Sequence, residues 1–542
     1  MNAPERMLEQ QAITFRLNGD EVSALPGETI IEVADRLGVE IPRLCYAPGM
    51  RPDGNCRSCM VEIKGERVLA PSCCRAPAAG MDVRSDSDRA VHAQKMIVEL
   101  LASDVPDKVY KPDSELAQWK AKLGIGTPRF APRAQPVADV SHPAMAVNLD
   151  ACIQCTRCVR ACREEQVNDV IGYAFRGGHS KIVFDFDDPM GASTCVACGE
   201  CVQACPTGAL APAKEAYLVP TDREVASVCP YCGVGCQLTY HVHDDKIVRV
   251  EGRDGPANHE RLCVKGRFGF DYVAHPHRLT KPLIRREGVG KTADFTMDPA
   301  DPSPVFREAT WEEALAKAGG TLARIRDTRG PRALAGFGSA KGSNEEAYLF
   351  QKLVRTGFGS NNVDHCTRLC HASSVAALLE GIGSGAVSNP VMDVTKAEVV
   401  LLIGANPVVN HPVAATWIKN AVKNGTKLIL ADPRRSELAR HATHYLQFKP
   451  DTDVALLNAM MHTIVEEGLA DRAFIADRTS GYEALAANVA QFSPEAMAPV
   501  CGVPAATIRE VAPLRALAAS DVRRRSRAGL RPAHRRTAEV AE

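Results

Sequence analysis

The chain lacks a net charge and long apolar runs. Its 542 residues include 65 basic and 65 acidic side chains, so no global field favours nucleic acid or an anionic membrane as the main partner. The longest apolar runs, such as Val399 to Ala405, are far shorter than the roughly 20 residues of a membrane-spanning helix. Residues 1–11 show neither the apolar core of a signal peptide nor twin arginines. We therefore expect a cytoplasmic chain without a membrane span and without a nucleic-acid partner.

Cysteine is absent from long parts of the chain and dense in others. Seventeen of the 20 cysteines precede residue 264, and the 102 residues between Cys263 and Cys366 contain none. In a large chain without an export signal, such density indicates metal binding or redox chemistry rather than disulfides. The length predicts about three to four domains, and the 45% hydrophobic content is enough for a core in each. The front cysteines form three groups, Cys45 to Cys74, Cys152 to Cys205 and Cys229 to Cys263.

The first cysteine group follows a predicted β-grasp unit. Alternation predicts a strand from Ile13 to Leu17, an Asn18-Gly19 hairpin turn and a second strand. Thr29 and Glu32 form a capping box for a helix that Gly38 ends. The helix face that we expect to be buried consists of Ile30, Val33, Ala34 and Leu37.

The spacing after this unit is Cys45-x10-Cys56-x2-Cys59-x13-Cys73. Four thiolates hold a 2Fe-2S cluster when a close pair binds from one loop and two distant ones bind from flanking elements. Small residues around Gly54, Asn55 and Ser58 let backbone N–H groups approach the sulfurs. We predict a 2Fe-2S site, with a zinc site as the alternative. Spacing alone favours Cys73 over Cys74 as the fourth ligand.

The second group repeats the bacterial ferredoxin pattern, as Cys152-x2-Cys155-x2-Cys158-x3-Cys162 and Cys195-x2-Cys198-x2-Cys201-x3-Cys205-Pro206. In that pattern the fourth cysteine of each run binds the other cluster. We therefore predict two 4Fe-4S clusters, one at Cys152, Cys155, Cys158 and Cys205 and one at Cys195, Cys198, Cys201 and Cys162. Arg163 stands where proline is usual, which affects local geometry but not ligation. Chance occurrence or zinc is the alternative.

The third group predicts another 4Fe-4S cluster, with spacing that differs from ferredoxin: Cys229-x2-Cys232-x3-Cys236 and, after 26 residues, Cys263. Residues Gln237 to Gly252 alternate and turn at Asp244-Asp245, which predicts a small sheet beside the cluster. Because four thiolates complete a cubane, we interpret His241 and His243 as surface or packing residues rather than ligands.

The second half of the chain contains a predicted βαβ unit. It consists of a strand from Val399 to Ile403, a helix near Val413 to Asn424 and a strand from Lys427 to Ala431. Sheets of this kind bind nucleotides at the carboxyl ends of their strands. The sequence has no G-x-G-x-x-G, and Gly336-Phe337-Gly338 does not make one. We therefore place neither NAD nor FAD on this chain.

Two motifs resemble the first domain of molybdopterin-guanine-dinucleotide oxidoreductases, namely Cys229-Pro230-Tyr231-Cys232-Gly233-Val234-Gly235-Cys236 and Arg261-Leu262-Cys263-Val264-Lys265-Gly266-Arg267. The resemblance implies that Lys265 bridges the cluster and a pterin; a solvated cation is the alternative. It also implies that one pterin-guanine dinucleotide is bound by Gly404, Asn406, Asp432 and Arg434, with Lys449 to Asp453 nearby. Ordinary loop chemistry is the alternative for each of these residues.

A further segment resembles the one that carries the metal ligand in formate dehydrogenases, Asn361-Asn362-Val363-Asp364-His365-Cys366-Thr367-Arg368-Leu369-Cys370-His371. In those enzymes a cysteine or selenocysteine binds molybdenum or tungsten, and histidine follows it. The resemblance implies that Cys370 is the metal ligand and His371 a catalytic residue. The chemistry agrees, since a soft thiolate suits a sulfur-rich metal site and an imidazole titrates near neutrality. We interpret Cys366 as a neighbouring structural thiol rather than a second ligand.

These features predict a multidomain α+β and α/β chain. Its parts are a β-grasp 2Fe-2S ferredoxin domain (1–90), a helical connector and linker (91–145), a ferredoxin-type 2×4Fe-4S domain (146–215), a molybdopterin oxidoreductase 4Fe-4S domain (222–280), an incomplete α/β molybdopterin-binding region (281–520) and a basic tail (521–542). The tail has seven arginines, no aromatic residue and no periodicity, which favours a disordered or frame-shifted end over a nucleic-acid arm. Because family subunits are several hundred residues longer, we expect a C-terminally truncated chain that is inactive alone.

The resemblance implies the α subunit of a cytoplasmic NAD-linked formate dehydrogenase, which oxidises formate to CO₂, a proton and two electrons. The implied cofactors are one 2Fe-2S cluster, three 4Fe-4S clusters and a molybdenum or tungsten bis-molybdopterin guanine dinucleotide. The front end also resembles the large subunit of NADH:quinone oxidoreductase and the diaphorase side of NAD-linked hydrogenases. This implies a flavin/NAD-binding diaphorase partner that carries FMN and NAD, together with a small 2Fe-2S subunit.

Two other functions are alternatives. One is a non-catalytic electron-transfer subunit like the respiratory one, whose additional cluster is expected between Cys74 and Cys152, where this chain has no cysteine. The other is a related molybdopterin enzyme such as an assimilatory nitrate reductase, against which His371 argues.

Overall fold

The computed structural model describes residues 12–291, 297–298, 300–385 and 389–514, and the backbone of Glu539 and Val540. Residues 1–11, residues 386–388 and most of the tail 521–542 lie outside the described residues. Within the described residues, no helix combines the length and the apolar character that crossing a membrane requires.

A five-stranded sheet forms the first domain. In sheet order its strands are Asp20–Ala24, Ile13–Leu17, Asp82–Arg84, Met60–Ile63 and Ala70–Pro71. The first two strands form an antiparallel hairpin, and Asn18 and Gly19 in its turn have φ values of 54° and 99°. The predicted hairpin is therefore confirmed.

The helix of this domain spans Ile30–Arg36 and packs on the sheet. The predicted capping box is present, with the Thr29 backbone N–H donating to Glu32 Oε2 at 2.7 Å. The prediction that Leu37 lies on the buried face is wrong, because Leu37 is 45% exposed. The helix ends at Arg36, and Leu37 leaves helical geometry as the C-cap; Ile31 is buried in its place.

Two helices, Asp88–Ser103 and Glu115–Lys122, connect the first domain to the next. The segment after them, residues 128–143, is rich in Pro and Ala and begins beside the C-terminal end of the first of these helices. Arg129 Nη2 donates to Glu99 Oε2 at 2.7 Å, and the Arg133 backbone N–H donates to Asp104 Oδ1 at 3.0 Å. Hydrogen bonds thus hold this linker against the connector.

The second domain contains two short antiparallel strand pairs, Met145–Val147 with Leu210–Pro212 and Ile171–Ala174 with Lys181–Phe184. Its helices are Arg157–Arg160, Ala161–Glu165, which is a π-helix, and Glu200–Ala204. The two cysteine loops repeat one conformation, with left-handed φ at Gln154 and Thr156 in the first loop and at Ala197 and Gly199 in the second. The duplicated sequence pattern therefore produces a duplicated backbone.

The third domain is a three-stranded antiparallel sheet of Arg223–Val228, Gln237–His243 and Lys246–Gly252, followed by the helix Val264–Phe268. Asp244 and Asp245 form the turn with φ values of 47° and 57°, which confirms the predicted hairpin. His241 is buried with Nε2 at 3.2 Å from Glu251 Oε2, and His243 Nδ1 lies 2.8 Å from Asp222 Oδ1. Each ring therefore lies beside a carboxylate.

A parallel sheet organises the rest of the chain, with strand order His444–Leu446, Lys427–Ala431, Val399–Ile403 and Glu539–Val540. The helix Pro412–Lys423 connects the two central strands, so the predicted βαβ unit is confirmed. The two faces of the central strands alternate. Leu401 and Ile429 pack towards the helix Asp453–Glu466, and Leu402 and Leu430 pack towards Pro412–Lys423.

Further elements surround this sheet. Leu283–Arg285 pairs antiparallel with Phe306–Glu308, and Gly336–Gly338 pairs parallel with Val363–His365. The remaining α-helices are Trp311–Arg329, Asn344–Lys352, Thr367–Cys370, Ala372–Ile382, Pro407–Asn410, Arg472–Arg478, Tyr482–Val489 and Pro494–Cys501, and residues 505–514 are also helical.

Candidate iron–sulfur sites and cofactor cavity

Four cysteines of the first domain share one environment. Cys45, Cys59 and Cys73 are buried, Cys56 is half-buried and Cys74 is exposed. Hydrogen bonds with the thiols of Cys56 and Cys73 lower the pKa of Cys45. Hydrogen bonds with Cys45 and Cys59 raise the pKa of Cys73. The structure therefore brings together the four predicted ligands and leaves Cys74 at the surface.

Backbone and hydroxyl groups of the cysteine loop approach these sulfurs. The backbones of Cys56 and Asn55 hydrogen-bond to Cys45, and Ser58 Oγ lies 3.1 Å from Cys56 Sγ. Gly54 has a φ of 65°, and a Cβ at this position would come within 2.8 Å of Cys74 Sγ. The loop thus needs a small residue here, and its polar groups stabilise thiolates.

The cysteines of the second domain fall into two sets. Burial raises the pKa of Cys152 to about 11 and that of Cys155 to about 12, and in both cases the nearby Cys205 thiol adds to the rise. In the second set burial raises the pKa of Cys198 to about 12, and there Cys162 contributes. The fourth cysteine of each run therefore lies beside the first three of the other run.

The two loops also direct matching N–H groups at their sulfurs. The Gln154 N–H donates to Cys152 Sγ at 3.4 Å, and the Ala197 N–H donates to Cys195 Sγ at 3.3 Å. Both donors are left-handed residues, with φ of 56° and 54°. Each loop therefore turns its backbone inwards, as N–H groups must when they solvate a thiolate-bound cluster.

The third set consists of Cys229, Cys232, Cys236 and Cys263. Burial raises the pKa of Cys236 to about 12, and the other three thiols add to the rise. A Cβ placed at Gly266 would lie 3.4 Å from Cys229 Sγ, so the helix after Cys263 passes close to the first cysteine. The four thiols thus surround one point between the sheet and this helix.

Lys341 is a site residue that the sequence reasoning missed. Its Nζ donates to the Tyr231 carbonyl at 2.7 Å, and its charge opposes the effect of burial, which raises the pKa of Cys229. The available signal was the glycine-flanked turn Gly338 to Gly342 directly after a strand. This turn places a cation from the α/β region beside the third cysteine set.

The distances between the sulfurs distinguish clusters from a single metal ion. A tetrahedral zinc with bonds of about 2.3 Å holds its sulfurs about 3.8 Å apart. Across the described ranges, no three cysteine sulfurs all lie within 4.8 Å of one another. The cysteine sets are therefore too wide for one zinc ion, and the donor chemistry fits iron–sulfur clusters.

The second cysteine loop of the ferredoxin-type domain contacts the third domain. Arg267 Nε donates to the Cys198 carbonyl at 2.8 Å, and the Arg267 backbone N–H donates to the Cys263 carbonyl at 3.0 Å. Gly199 permits this approach, because a Cβ there would lie 2.1 Å from Arg267 Cδ. One arginine therefore links Cys198 of the Cys195 set to Cys263 of the Cys229 set.

The first cysteine loop of the same domain contacts the 2Fe-2S-type domain. Asn55 Nδ2 donates to the Gln154 carbonyl at 3.3 Å, and Thr156 Oγ1 donates to Asp53 Oδ2 at 2.6 Å. Arg160 donates to the carbonyls of Cys45 and Cys155. The four cysteine sets are thus arranged in series, with the Cys195 set next to Cys263 and the Cys152 set next to Cys45.

A cavity of about 730 Å³ lies where the second, third and α/β parts meet. Cys198, Cys263, Lys265 and Arg435 are among its lining residues. Lys265 is exposed and lies in the first turn of the helix after Cys263, so its amine is available to a bound group. The cavity therefore connects the third cysteine set to the parallel sheet.

The predicted dinucleotide residues gather at the carboxyl ends of two adjacent strands. The Gly404 N–H donates to the Ala431 carbonyl at 3.0 Å, and Asp432 Oδ1 accepts from the Arg434 N–H at 2.7 Å. Asn406 Oδ1 and Ser436 Oγ are buried without a hydrogen-bond partner in the part of the chain that the structure describes. Because buried polar atoms are normally paired, the site fits a polar cofactor that satisfies them.

Cys370 and His371 follow the strand Val363–His365 on the short helix Thr367–Cys370. Cys370 is exposed and His371 is half-buried. Neither side chain hydrogen-bonds to another group among the described residues, and neither lines the cavity beside Lys265. The structure thus brings Gly404, Asn406, Asp432 and Arg434 together but does not join Cys370 and His371 to them.

The order of the domains defines a class of protein, an oxidoreductase with iron–sulfur domains ahead of a molybdopterin domain. The family descriptions that match are, in chain order, 2Fe-2S iron-sulfur cluster binding domain (10–88), 4Fe-4S dicluster domain (145–209), molybdopterin oxidoreductase Fe4S4 domain (222–275) and molybdopterin oxidoreductase (278–517). The predicted fold class is therefore confirmed. The chain belongs to the molybdopterin oxidoreductase family, with Fe4S4 and 2Fe-2S domains.

Curated relatives extend over most of the chain. "Probable oxidoreductase YjgC" of Bacillus subtilis (strain 168) is 31% identical over 92% of this chain and 54% of its own length. "Putative formate dehydrogenase SH0748" of Staphylococcus haemolyticus (strain JCSC1435) is 30% identical over 91% of this chain and 53% of its own length. The chain thus spans about half the length of the curated relatives it matches.

Two solved structures are also similar. An NAD⁺-reducing [NiFe]-hydrogenase in the H₂-reduced state matches 39% of this chain at 28% identity with a TM-score of 0.37. Acetylene hydratase from Pelobacter acetylenicus matches 53% of this chain at 24% identity with a TM-score of 0.44.

Proposed function

We propose that this chain is the molybdopterin-binding and electron-transferring part of a formate dehydrogenase. The reaction is HCOO⁻ to CO₂, a proton and two electrons. The observation that carries the proposal is the series of contacts from Lys265 and Cys263, through Cys198 and Cys155, to Cys45. Such a series suits an enzyme whose substrate and electron acceptor bind at opposite ends.

The proposed cluster ligands are the four cysteine sets. Cys45, Cys56, Cys59 and Cys73 hold a 2Fe-2S cluster. The three 4Fe-4S clusters are held by Cys152, Cys155, Cys158 and Cys205, by Cys195, Cys198, Cys201 and Cys162, and by Cys229, Cys232, Cys236 and Cys263. Burial of Cys73 and exposure of Cys74 support Cys73 as the ligand. Burial raises the pKa values of Cys152, Cys155, Cys198 and Cys236, so cluster assembly must release protons from these cysteines.

At the substrate end, we assign three residues to the reaction. When bound, a molybdenum or tungsten bis-molybdopterin guanine dinucleotide supplies a two-electron acceptor. Cys370 binds the metal through its thiolate, and His371 takes the proton that formate loses. Lys265 donates to the pterin from the helix after Cys263. Gly404, Asn406, Asp432 and Arg434 bind the dinucleotide at the strand ends, where Asn406 Oδ1 lacks a protein partner among the described residues.

At the acceptor end, we place a partner. The sequence lacks a G-x-G-x-x-G motif, so FMN and NAD belong on a flavin/NAD-binding subunit that docks near the 2Fe-2S domain, with a small 2Fe-2S subunit alongside. We propose that the complex works in the cytoplasm. The name of the Staphylococcus haemolyticus relative supports the choice of formate as substrate.

Metal analysis tests this proposal. The four ligand sets require about 14 iron atoms per chain, from one 2Fe-2S and three 4Fe-4S clusters. We expect this value, with matching labile sulfide, after anaerobic reconstitution of the chain. A stable value near half of that, or zinc in place of iron, contradicts the cluster assignment.

A further inference from the structure

Arg160 is a buried cation without a carboxylate partner. Its side chain is buried, with 3% exposure. In the sequence it lies between Cys158 and Cys162, which are assigned to different clusters. No Asp or Glu of the described residues forms an ion pair with it, and its Nε has no hydrogen-bond partner there. Burying an unpaired charge is costly, so the position calls for a negative group close by.

The contacts of Arg160 indicate where that negative charge lies. One guanidinium nitrogen, Nη2, donates to the Cys45 carbonyl and, at 3.3 Å, to the Cys155 carbonyl. The other, Nη1, donates to the Arg51 carbonyl at 2.5 Å. Cys45 and Cys155 are 110 residues apart and belong to different proposed clusters. Arg160 therefore joins the backbones of two ligands, and clusters held by four thiolates are the anions that compensate its charge.

We propose that Arg160 is a positioning residue that sets the reduction potentials of the 2Fe-2S cluster and the Cys152 cluster together. Reduction adds one negative charge to a cluster, and a buried cation beside it stabilises that state. A single guanidinium between the two ligand sets raises both reduction potentials. The difference between the two potentials, which drives electron transfer from one cluster to the other, therefore changes little. This inference rests on the proposed cluster ligands and adds a residue that binds no iron.

The neighbouring cations do not share this arrangement. Arg157 pairs with Glu115 at 2.8 Å, and Arg267 lies 3.4 Å from Glu200. Arg51 crosses the same domain boundary as Arg160, but it is exposed and pairs with Glu164 at 2.9 Å. Arg51 is thus a matched control, since it contributes to the same interface through an ion pair at the surface.

The test is a redox titration of the reconstituted chain followed by electron paramagnetic resonance. Arg160→Gln keeps hydrogen-bond donors and removes the charge. We expect the reduction equilibrium constants of the 2Fe-2S cluster and of one 4Fe-4S cluster to fall about tenfold each, which is about 59 mV for one electron. The other two 4Fe-4S clusters should be unchanged. Arg160→Lys, which keeps the charge, should stay near the wild-type potentials, and Arg51→Gln should match wild type.

Each outcome decides the matter. An unchanged 2Fe-2S potential in Arg160→Gln with all clusters loaded overturns the inference, and so does an equal shift of all four clusters, which indicates general distortion. If Arg160→Gln does not load its clusters, Arg160→Lys decides, because a potential lowered despite the retained charge also overturns it. Absence of a 2Fe-2S signal in the wild-type chain would instead refute the proposed ligand sets.

Discussion

Replacing Cys370 with serine is expected to abolish formate oxidation and to leave every iron–sulfur signal intact. Serine offers a hard oxygen where a sulfur-rich metal site requires a soft thiolate, so we expect turnover to fall by about 10³-fold or more. The measurement is formate-driven viologen reduction, with iron determined on the same sample. It uses the polypeptide at the full length of its relatives, because the chain spans about half of that length.

Cys366→Ser is the matched control, since Cys366 is an exposed thiol four residues earlier on the same segment. It should keep turnover near that of the wild type. His371→Ala should lower turnover by about 10²-fold while metal is retained, as expected for the loss of a proton acceptor. Normal turnover in Cys370→Ser, or equal losses in both cysteine variants, would remove the basis of the active-site assignment.

Lys265→Met is expected to slow electron transfer from the cofactor to the 4Fe-4S cluster of the Cys229 set. A hydrogen bond from a charged group contributes about 1.5–3 kcal/mol, which corresponds to a factor of about ten or more. We therefore expect formate-driven reduction of the iron–sulfur signals to slow at least about tenfold. Reduction of the same clusters by dithionite should be unchanged, because the cysteines are untouched. Stopped-flow absorbance with each reductant in turn measures both rates.

The control for this change is Lys246→Met. Lys246 is an exposed lysine of the same domain, beside the Asp244-Asp245 turn, and it does not line the cavity that contains Lys265. It should behave as wild type with both reductants. Equal slowing in the two lysine variants would show that net positive charge on this domain, and not the position of Lys265, controls the rate.

Local patterns explain why much of this molecule was predictable from sequence. The spacing within each Cys-x2-Cys-x2-Cys-x3-Cys run determines the conformation of its loop. The placement of Cys205 beside the first run and of Cys162 beside the second was therefore predictable from spacing alone. The capping box at Thr29 and the hairpin turn at Asp244-Asp245 likewise depend on adjacent residues. Leu37 was misplaced because periodicity continues through a C-cap at which the backbone has already left the helix.

Long-range contacts explain what the sequence did not reveal. Arg160 reaches Cys45 over 115 positions, and Lys341 reaches Tyr231 over 110. No periodicity or motif in the sequence indicates either contact, because both contacts depend on how separately folded units pack against each other. The series of four cysteine sets is also a product of packing, since spacing within each set does not say which sets are neighbours.

The most direct test of the account is formate-driven reduction of the 2Fe-2S centre. Formate is added anaerobically to the full-length protein without its flavin partner, and the centre is followed by electron paramagnetic resonance. The account predicts that formate reduces the 2Fe-2S cluster in wild type but not in Cys370→Ser, while dithionite reduces it in both. A 2Fe-2S cluster that stays oxidised with formate, in protein with full iron and molybdenum or tungsten and with a 2Fe-2S potential above that of formate, would contradict the proposed path from Lys265 to Cys45.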